Sequence, residues 1–422
     1  MVFLEEYCLD IQKGIKMRLA TMFSYVYVFL WIFLSFLPFV YYSTKAYVSL
    51  LFFFAISALI YTFYFIGNYK LLPYFKCLFV FVAYLSIYGL HLLFLGDDVF
   101  WQYANFFIPQ NRYILWLLIS MLSVIPIYIF TCRGELKECE MKILFFVMLA
   151  SCVFAFFKTQ EQMLLEAALL GSKQDEFTIT EVYSFLSILP LVCLFRKNVL
   201  LQFILLLIFF VFFILSAKRG AILLGTISVV FIIWGILSNY SIKKKTILFF
   251  ISLVFLAGLF QFALYQIENS PYLLLRYEDT KDGYSSQRDV FIKIILDYID
   301  KNFSIKSFLF GFGAQKTLSV NISFAHNDWV AILLEQGIIG VFAYLLFWIG
   351  FTYTWLKSKS NKESFVVLGT MVIIGLGKTM FSMFYLPVTE IMIISSGFYS
   401  ITLGYYLGVT YPMQEFNGIK KV

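Results

Sequence analysis

The chain has 422 residues, of which 61% are hydrophobic, 21% aromatic and 14% charged, with a formal net charge of +7 and a mean hydropathy of +0.86. A soluble globular chain carries roughly 25% charged residues, and much of a soluble chain must face water, so 52 Phe exceed what a soluble core could bury. These values exclude a soluble domain.

In chain order, Met1 to Arg18 is a mixed polar stretch carrying Lys13, Lys16 and Arg18. The apolar run that follows, about Ala20 to Tyr42, is too long for the apolar region of a cleaved signal peptide and reads as a retained first membrane helix. Further apolar runs reach the length of about twenty residues that crosses a bilayer core of about 30 Å as a helix. Twelve candidate spans lie near 20–42, 46–66, 75–95, 113–130, 143–157, 179–195, 198–215, 220–237, 246–266, 328–356, 364–386 and 388–411. The alternating ten-residue segments of a membrane barrel are absent from the sequence. The expected fold class is an all-α integral membrane protein with about twelve transmembrane helices, in one polytopic domain over 1–422.

With a cytoplasmic N-terminus, the clusters Lys13/Lys16/Arg18, Lys70/Lys76, Arg133/Lys137/Lys142, Arg196/Lys197, Lys243–Lys245, Lys357/Lys359/Lys362 and Lys420/Lys421 all fall inside. The short outside loops hold only Lys45, Arg112, Lys158, Lys173 and the pair Lys218–Arg219. This positive-inside asymmetry places both termini in the cytoplasm. The positive charge then reflects topology and contact with anionic membrane lipids, and no nucleic-acid partner is expected. No cysteine falls in an outside loop, so no disulfide framework is implied. Cys132 and Cys139 lack the spacing of a zinc site.

One outside segment, 267–325, is far longer than the others, and a structureless loop of that length would be unusual. It is expected to carry short helices between spans 9 and 10. Ser285–Ser286 fits a cap for a helix from Gln287 to about Lys301, with Phe291, Ile294, Ile295 and Tyr298 on one face. A second segment, Gln160 to Leu170, reads as a short amphipathic helix lying on the membrane surface.

Polar residues near membrane depth are costly and therefore informative. Lys218 and Arg219, in Ser216-Ala217-Lys218-Arg219-Gly220, join two apolar runs with almost no loop. They fit either headgroup snorkelling or an anion site at the start of the next helix. Arg288, in Ser285-Ser286-Gln287-Arg288-Asp289, reads as a solvated charge or a site residue, and Arg276 is a weaker candidate of the same kind. Phe310-Gly311-Phe312-Gly313 implies a tight turn or a close backbone approach. His326, in His326-Asn327-Asp328-Trp329, stands where the long loop re-enters the membrane, and His suits proton exchange near neutral pH. Asn327 and Asp328 fit a helix cap equally well. The other histidine, His91, sits in an apolar context and reads as a packed helix residue, while Lys378 in the eleventh span has no assigned role.

His326-Asn327, followed by Gly337-Ile338-Ile339-Gly340, resembles the motif shared by O-antigen polymerases and O-antigen ligases. The Ser216-x-x-Arg219-Gly220 hairpin, Arg288 and the Gly311-x-Gly313 turn stand in that family's order, so the resemblance covers mainly 210–345. It implies a C-type (GT-C-like) glycosyltransferase architecture with one large periplasmic loop in the bacterial inner membrane, using an undecaprenyl-diphosphate-linked oligosaccharide with no cofactor and no metal. Carried over, His326 is the general base, and Arg219 and Arg288 hold the diphosphate as it leaves. Lys218, Arg276, Asn327, Gly311 and Gly313 are the implied substrate-binding residues. Family members often carry an uncharged residue at the place of Lys218, which leaves its role open.

The reading preferred here, by analogy, is an O-antigen polymerase, with a chain-length regulator protein as an expected partner. The alternative is a ligase that transfers the glycan to the lipid A core. A flippase or transporter for lipid-linked saccharide is a different class. It predicts two similar halves and polar groups at the midplane of several helices, whereas the polar candidates here gather around one loop.

Overall fold

A computed structural model describes residues 21–34, 36, 44–95, 110–170, 179–238, 240–269, 288–321, 326–386 and 390–414, together with 274, 277–278 and 281. Every element assigned among them is helical. In chain order these are α1 (Thr21–Leu34), α2 (Thr44–Asn68), α3 (Pro73–Leu95), α4 (Gln110–Leu122), α5 (Val124–Cys132), α6 (Glu138–Leu170), α7 (Val182–Ile188), α8 (Val199–Leu215), α9 (Arg219–Ser238) and α10 (Ile242–Asn269). Three short helices follow, α11 (Arg288–Lys301), α12 (Ile305–Phe310) and α13 (Lys316–Asn321), then α14 (Asp328–Lys357), α15 (Lys362–Phe381) and α16 (Glu390–Thr410).

Nine helices among the described residues are long and apolar enough to cross a membrane. Three shorter apolar helices, Thr21–Leu34, Val182–Phe195 and Val199–Leu215, stand at the first, sixth and seventh expected spans. The chain is therefore an all-α membrane protein, and among the described residues nine of the twelve expected spans have the length of a crossing. Proline explains two of the irregularities. Pro190 has no N–H to continue the α ladder, so α7 stops at Ile188 and runs on as a 3-10 turn over Leu189–Phe195. Pro126 likewise cannot bond the carbonyl four residues back, and the span Tyr113–Cys132 breaks at Ser123 into α4 and α5.

Burial sorts the helices. In Met392–Thr410 of α16, 94% of the most apolar window is buried inside the protein, and in Tyr113–Cys132 89%, so these form the centre of the bundle. In α10 the share is 12%, although its hydropathy is higher. A helix that apolar with so little protein around it needs lipid as its solvent, as do exposed side chains such as Phe63, Leu200 and Val254.

Two expectations are corrected. Residues 160–170 are not a separate surface helix; they continue α6 without a break, because Lys158-Thr159-Gln160-Glu161-Gln162 contains no helix breaker. His91 is exposed on α3 rather than packed within the chain.

The helices of the loop form a small core of their own. Ile295 of α11 packs with Ala331 and Leu334 of α14, flanked by Tyr298, Ile299, Phe312 and Val320. The Ser285–Ser286 cap falls outside the described residues.

Candidate active site

Three turns meet at one end of the bundle. The first joins α8 to α9. Ser216 closes α8, its hydroxyl donating to the Phe213 carbonyl at 2.7 Å, while its own carbonyl accepts the Ile179 N–H at 3.1 Å. Ala217 then takes a φ of 54°, which reverses the chain at once and lets Arg219 open α9. A Cβ on Gly220 would lie 2.9 Å from Phe381 Cβ, so only glycine lets the hairpin seat on the end of α15. Lys218 Nζ donates to Thr180 Oγ1 at 3.2 Å and lies 5.9 Å from the centre of the Tyr183 ring. Beside it, the buried Glu181 carboxylate accepts from the Thr159 hydroxyl. Burial holds that carboxyl above its usual range, against the attraction of Lys218.

The second turn is the start of α11, whose first residue is Arg288. The third is the entry to α14. His326 is half-buried and has a φ of 49°. Asn327 is the cap of α14, its Oδ1 accepting the N–H groups of Trp329 (3.0 Å) and Val330 (3.2 Å), so the structural role expected for it is filled. Asp328 is fully buried and accepts the Tyr344 hydroxyl at 2.7 Å and the Phe384 N–H at 3.0 Å. Trp329 donates from Nε1 to Thr379 Oγ1 at 2.9 Å. These bonds tie the His326 turn to the end of α15, the same element that seats the Gly220 hairpin.

Electrostatics joins the three turns. The pKa of His326 is pushed down to about 4, first by burial and then by the nearby positive charges of Arg288 and Lys218. The structure thus gathers His326, Arg288 and Lys218 around one place, with Arg219 next to Lys218 at the head of α9. Arg276 lies outside the described residues. Among the described residues, the three non-glycine positions with positive φ are Ala217, Gln315 and His326, all at this end, and backbone strain tends to cluster at functional sites.

Gly311 and Gly313 have a structural purpose of their own. The N–H groups of Gly311, Phe312 and Gly313 are taken by the carbonyls of Ser307, Leu334 and Glu335, at 2.8, 2.8 and 3.0 Å. The turn is clamped onto α14 where Gly337, with φ 68° and ψ −167°, breaks that helix. The Tyr84 and Tyr88 hydroxyls donate to the Gln336 and Phe310 carbonyls, and Glu335 Oε1 accepts the Thr317 N–H at 3.3 Å. This junction fixes where the loop helices, and so Arg288, stand relative to His326.

Sequence reasoning missed Tyr183, Thr180 and Glu181, because nothing in an apolar run marks which tyrosine faces a cation. It marked Lys378 without placing it. That lysine is 2% exposed, donates to Ser395 Oγ at 3.3 Å, lies 5.4 Å from the Tyr183 ring centre and attracts Asp328. Two cavities, of about 630 and 640 Å3, lie elsewhere. Arg196 and Glu363 line one, and Lys70, Lys76 and Lys357 the other. The second sits at the far end of α14 from His326. Among the described residues no group of three or more His, Cys, Asp and Glu is arranged to hold a metal ion.

The state of His326 is directly measurable. The chain has two histidines, so 13C-histidine labelling gives two signals and an H91N variant assigns them. His326 is expected to titrate at about 4, and Arg288→Gln to move it upward, toward the ordinary value of 6.5. Because the folded value is the lower one, the folded state is at full stability with respect to this group above pH 6.5 and loses stability as pH falls toward and through 4. Titration near 6.5 in the wild type would contradict the placement.

Fold and site together define a polytopic α-helical membrane protein with a histidine and several cations gathered where its loop helices rejoin the bundle. Residues 204–345, about a third of the chain, match the family model Wzy_C, described as O-antigen ligase. The matched segment is thus similar to that family, and it contains Lys218, Arg219, Arg288 and His326. None of the curated proteins matches the chain.

Proposed function

We propose that the protein is an O-antigen (surface polysaccharide) polymerase of the bacterial inner membrane. It transfers a growing glycan from undecaprenyl diphosphate to a sugar of another lipid-linked repeat unit, at the periplasmic face. The observation that carries the reading is the half-buried His326 beside the charges of Arg288 and Lys218, inside the matched segment.

In the proposed reaction an acceptor hydroxyl oxygen attacks the anomeric carbon from the face opposite the diphosphate. The bond from that carbon to the diphosphate oxygen breaks, and its electron pair leaves with the oxygen. His326 takes the hydroxyl proton, and the anomeric configuration inverts. The lowered pKa keeps His326 neutral and ready to accept a proton at physiological pH. When a diphosphate sits against Arg219 and Arg288, its negative charge offsets the cations that depress His326 and makes the imidazole a stronger base at the moment it is needed. The guanidinium groups meanwhile stabilise the charge that gathers on the leaving oxygen. No metal and no nucleotide sugar enters this scheme.

The description of the matched family favours a second reading, a ligase with the same donor and the lipid A core as acceptor. Deletion of the gene followed by a gel of surface polysaccharide separates the two. A polymerase mutant leaves a single repeat unit on the lipid core, and a ligase mutant leaves none. Lipid-linked units trapped on the cytoplasmic side would instead indicate a transporter and overturn both readings.

A further inference from the structure

Tyr183, in the first turn of α7, is 1% exposed. Its hydroxyl is buried and makes no hydrogen bond of normal geometry, with the Ser382 side chain as its nearest polar neighbour within the protein. In an apolar surrounding an unsatisfied hydroxyl is costly, and phenylalanine, the residue this chain uses 52 times, would fill the same space without that cost. The hydroxyl points toward the start of α9, since a Cβ on Gly220 would be 3.5 Å from Tyr183 Oη. A twenty-residue helix starts there, and its first N–H groups and dipole favour an anion.

The ring is held between charges. Lys378 Nζ lies 5.4 Å and Lys218 Nζ 5.9 Å from its centre, and the charge of Arg288 also reaches it. Among the described residues other buried tyrosine hydroxyls make no hydrogen bond, those of Tyr27 and Tyr113 among them, but Tyr183 has two cations at its ring. Lys378 also has a clear reason to be buried. Its ammonium is directed at Ser395 and the ring, while the Asp328 carboxylate is hydrogen-bonded by Tyr344 and Phe384. A cation deep in a membrane helix is retained where it shapes the field at a site.

We propose that the Tyr183 hydroxyl donates a hydrogen bond to a phosphate oxygen of the lipid-diphosphate donor, in a site shared with Lys218, Arg219 and the start of α9. Lys378 is a positioning residue that holds the phenol from behind. The inference rests on the donor chemistry proposed above.

Full-length wild type, Tyr183→Phe and His326→Asn, each purified and reconstituted in bilayers, test it with an undecaprenyl-diphosphate-linked oligosaccharide as donor. Tyr183→Phe is expected to raise the donor KM about tenfold or more, the effect of losing a charge-assisted bond, with a thermal midpoint equal to or above wild type. An unchanged donor KM overturns the proposal whatever happens to the midpoint. A raised KM with a lowered midpoint also overturns it, because the hydroxyl then has a partner within the protein. Should the wild type fail to turn over this donor, the donor chemistry itself falls; an active wild type and an inactive His326→Asn beside an unaltered Tyr183→Phe remove only the role of Tyr183.

Discussion

Gly337→Ala is expected to prevent the protein from accumulating in the membrane. The backbone of Gly337 has φ 68° and ψ −167°, a region that is essentially glycine-only and costs other residues about 1–3 kcal/mol. The added Cβ would also lie 2.5 Å from Gly311 N and from the carbonyl carbon and oxygen of Leu309, all of them main-chain atoms that cannot rotate away. Relief requires separating the Gly311–Gly313 turn from α14, which breaks the bonds from Phe312 and Gly313 to Leu334 and Glu335. Strain and lost bonds together amount to roughly 3 kcal/mol or more, a large share of the total stability of a typical domain. Gly67→Ala is the control, since nothing lies within 4 Å of the added carbon there. Immunoblots of membranes and melting in detergent compare the two. Equal levels and equal midpoints would contradict the junction.

His326→Asn is expected to lower turnover by about 10²–10⁴-fold, the usual contribution of a general base. Asparagine is the informative substitution because it tolerates the positive φ of 49° as well as histidine does, so backbone strain is unchanged. It cannot take up the acceptor proton. His326 is only half-buried and lies outside the Gly311–Gly337 clamp, so the variant should reach wild-type membrane levels.

The membrane fold was legible because it rests on composition and run length, which need no tertiary knowledge. Limits appeared where two distant parts of the chain meet. Gly337 stands in an apolar run and looks like a tolerated helix glycine. Its positive φ and its backbone contact with Gly311 arise only when the loop folds back. The same holds for Gly311 and Gly313, whose tight turn was readable but whose clamp onto α14, through the Phe312 and Gly313 N–H groups, was not. Lys218 and Arg219 stood out by breaking a charge rule, and His326 by its rarity, so their chemistry showed in one dimension. That Arg288 and Lys218 depress His326 did not, because the effect depends on burial and distance. Lys378 was visible as an oddity, but Tyr183 and Ser395, which make sense of it, carry no mark among the apolar residues around them. His91 misled for the opposite reason: an apolar sequence context does not say which face of a helix meets the bundle.

A neutral His326 beside a cluster of cations is proposed to drive the transfer of a glycan from a lipid diphosphate. The most direct measurement incubates the full-length protein in bilayers with an undecaprenyl-diphosphate-linked repeat unit, without nucleotide sugar and in the presence of a chelator, and follows glycan length and released undecaprenyl diphosphate together. Wild type is expected to yield longer glycans with one lipid diphosphate released per unit added, and His326→Asn, at equal protein, to yield neither. Elongation by His326→Asn at the wild-type rate would contradict the account.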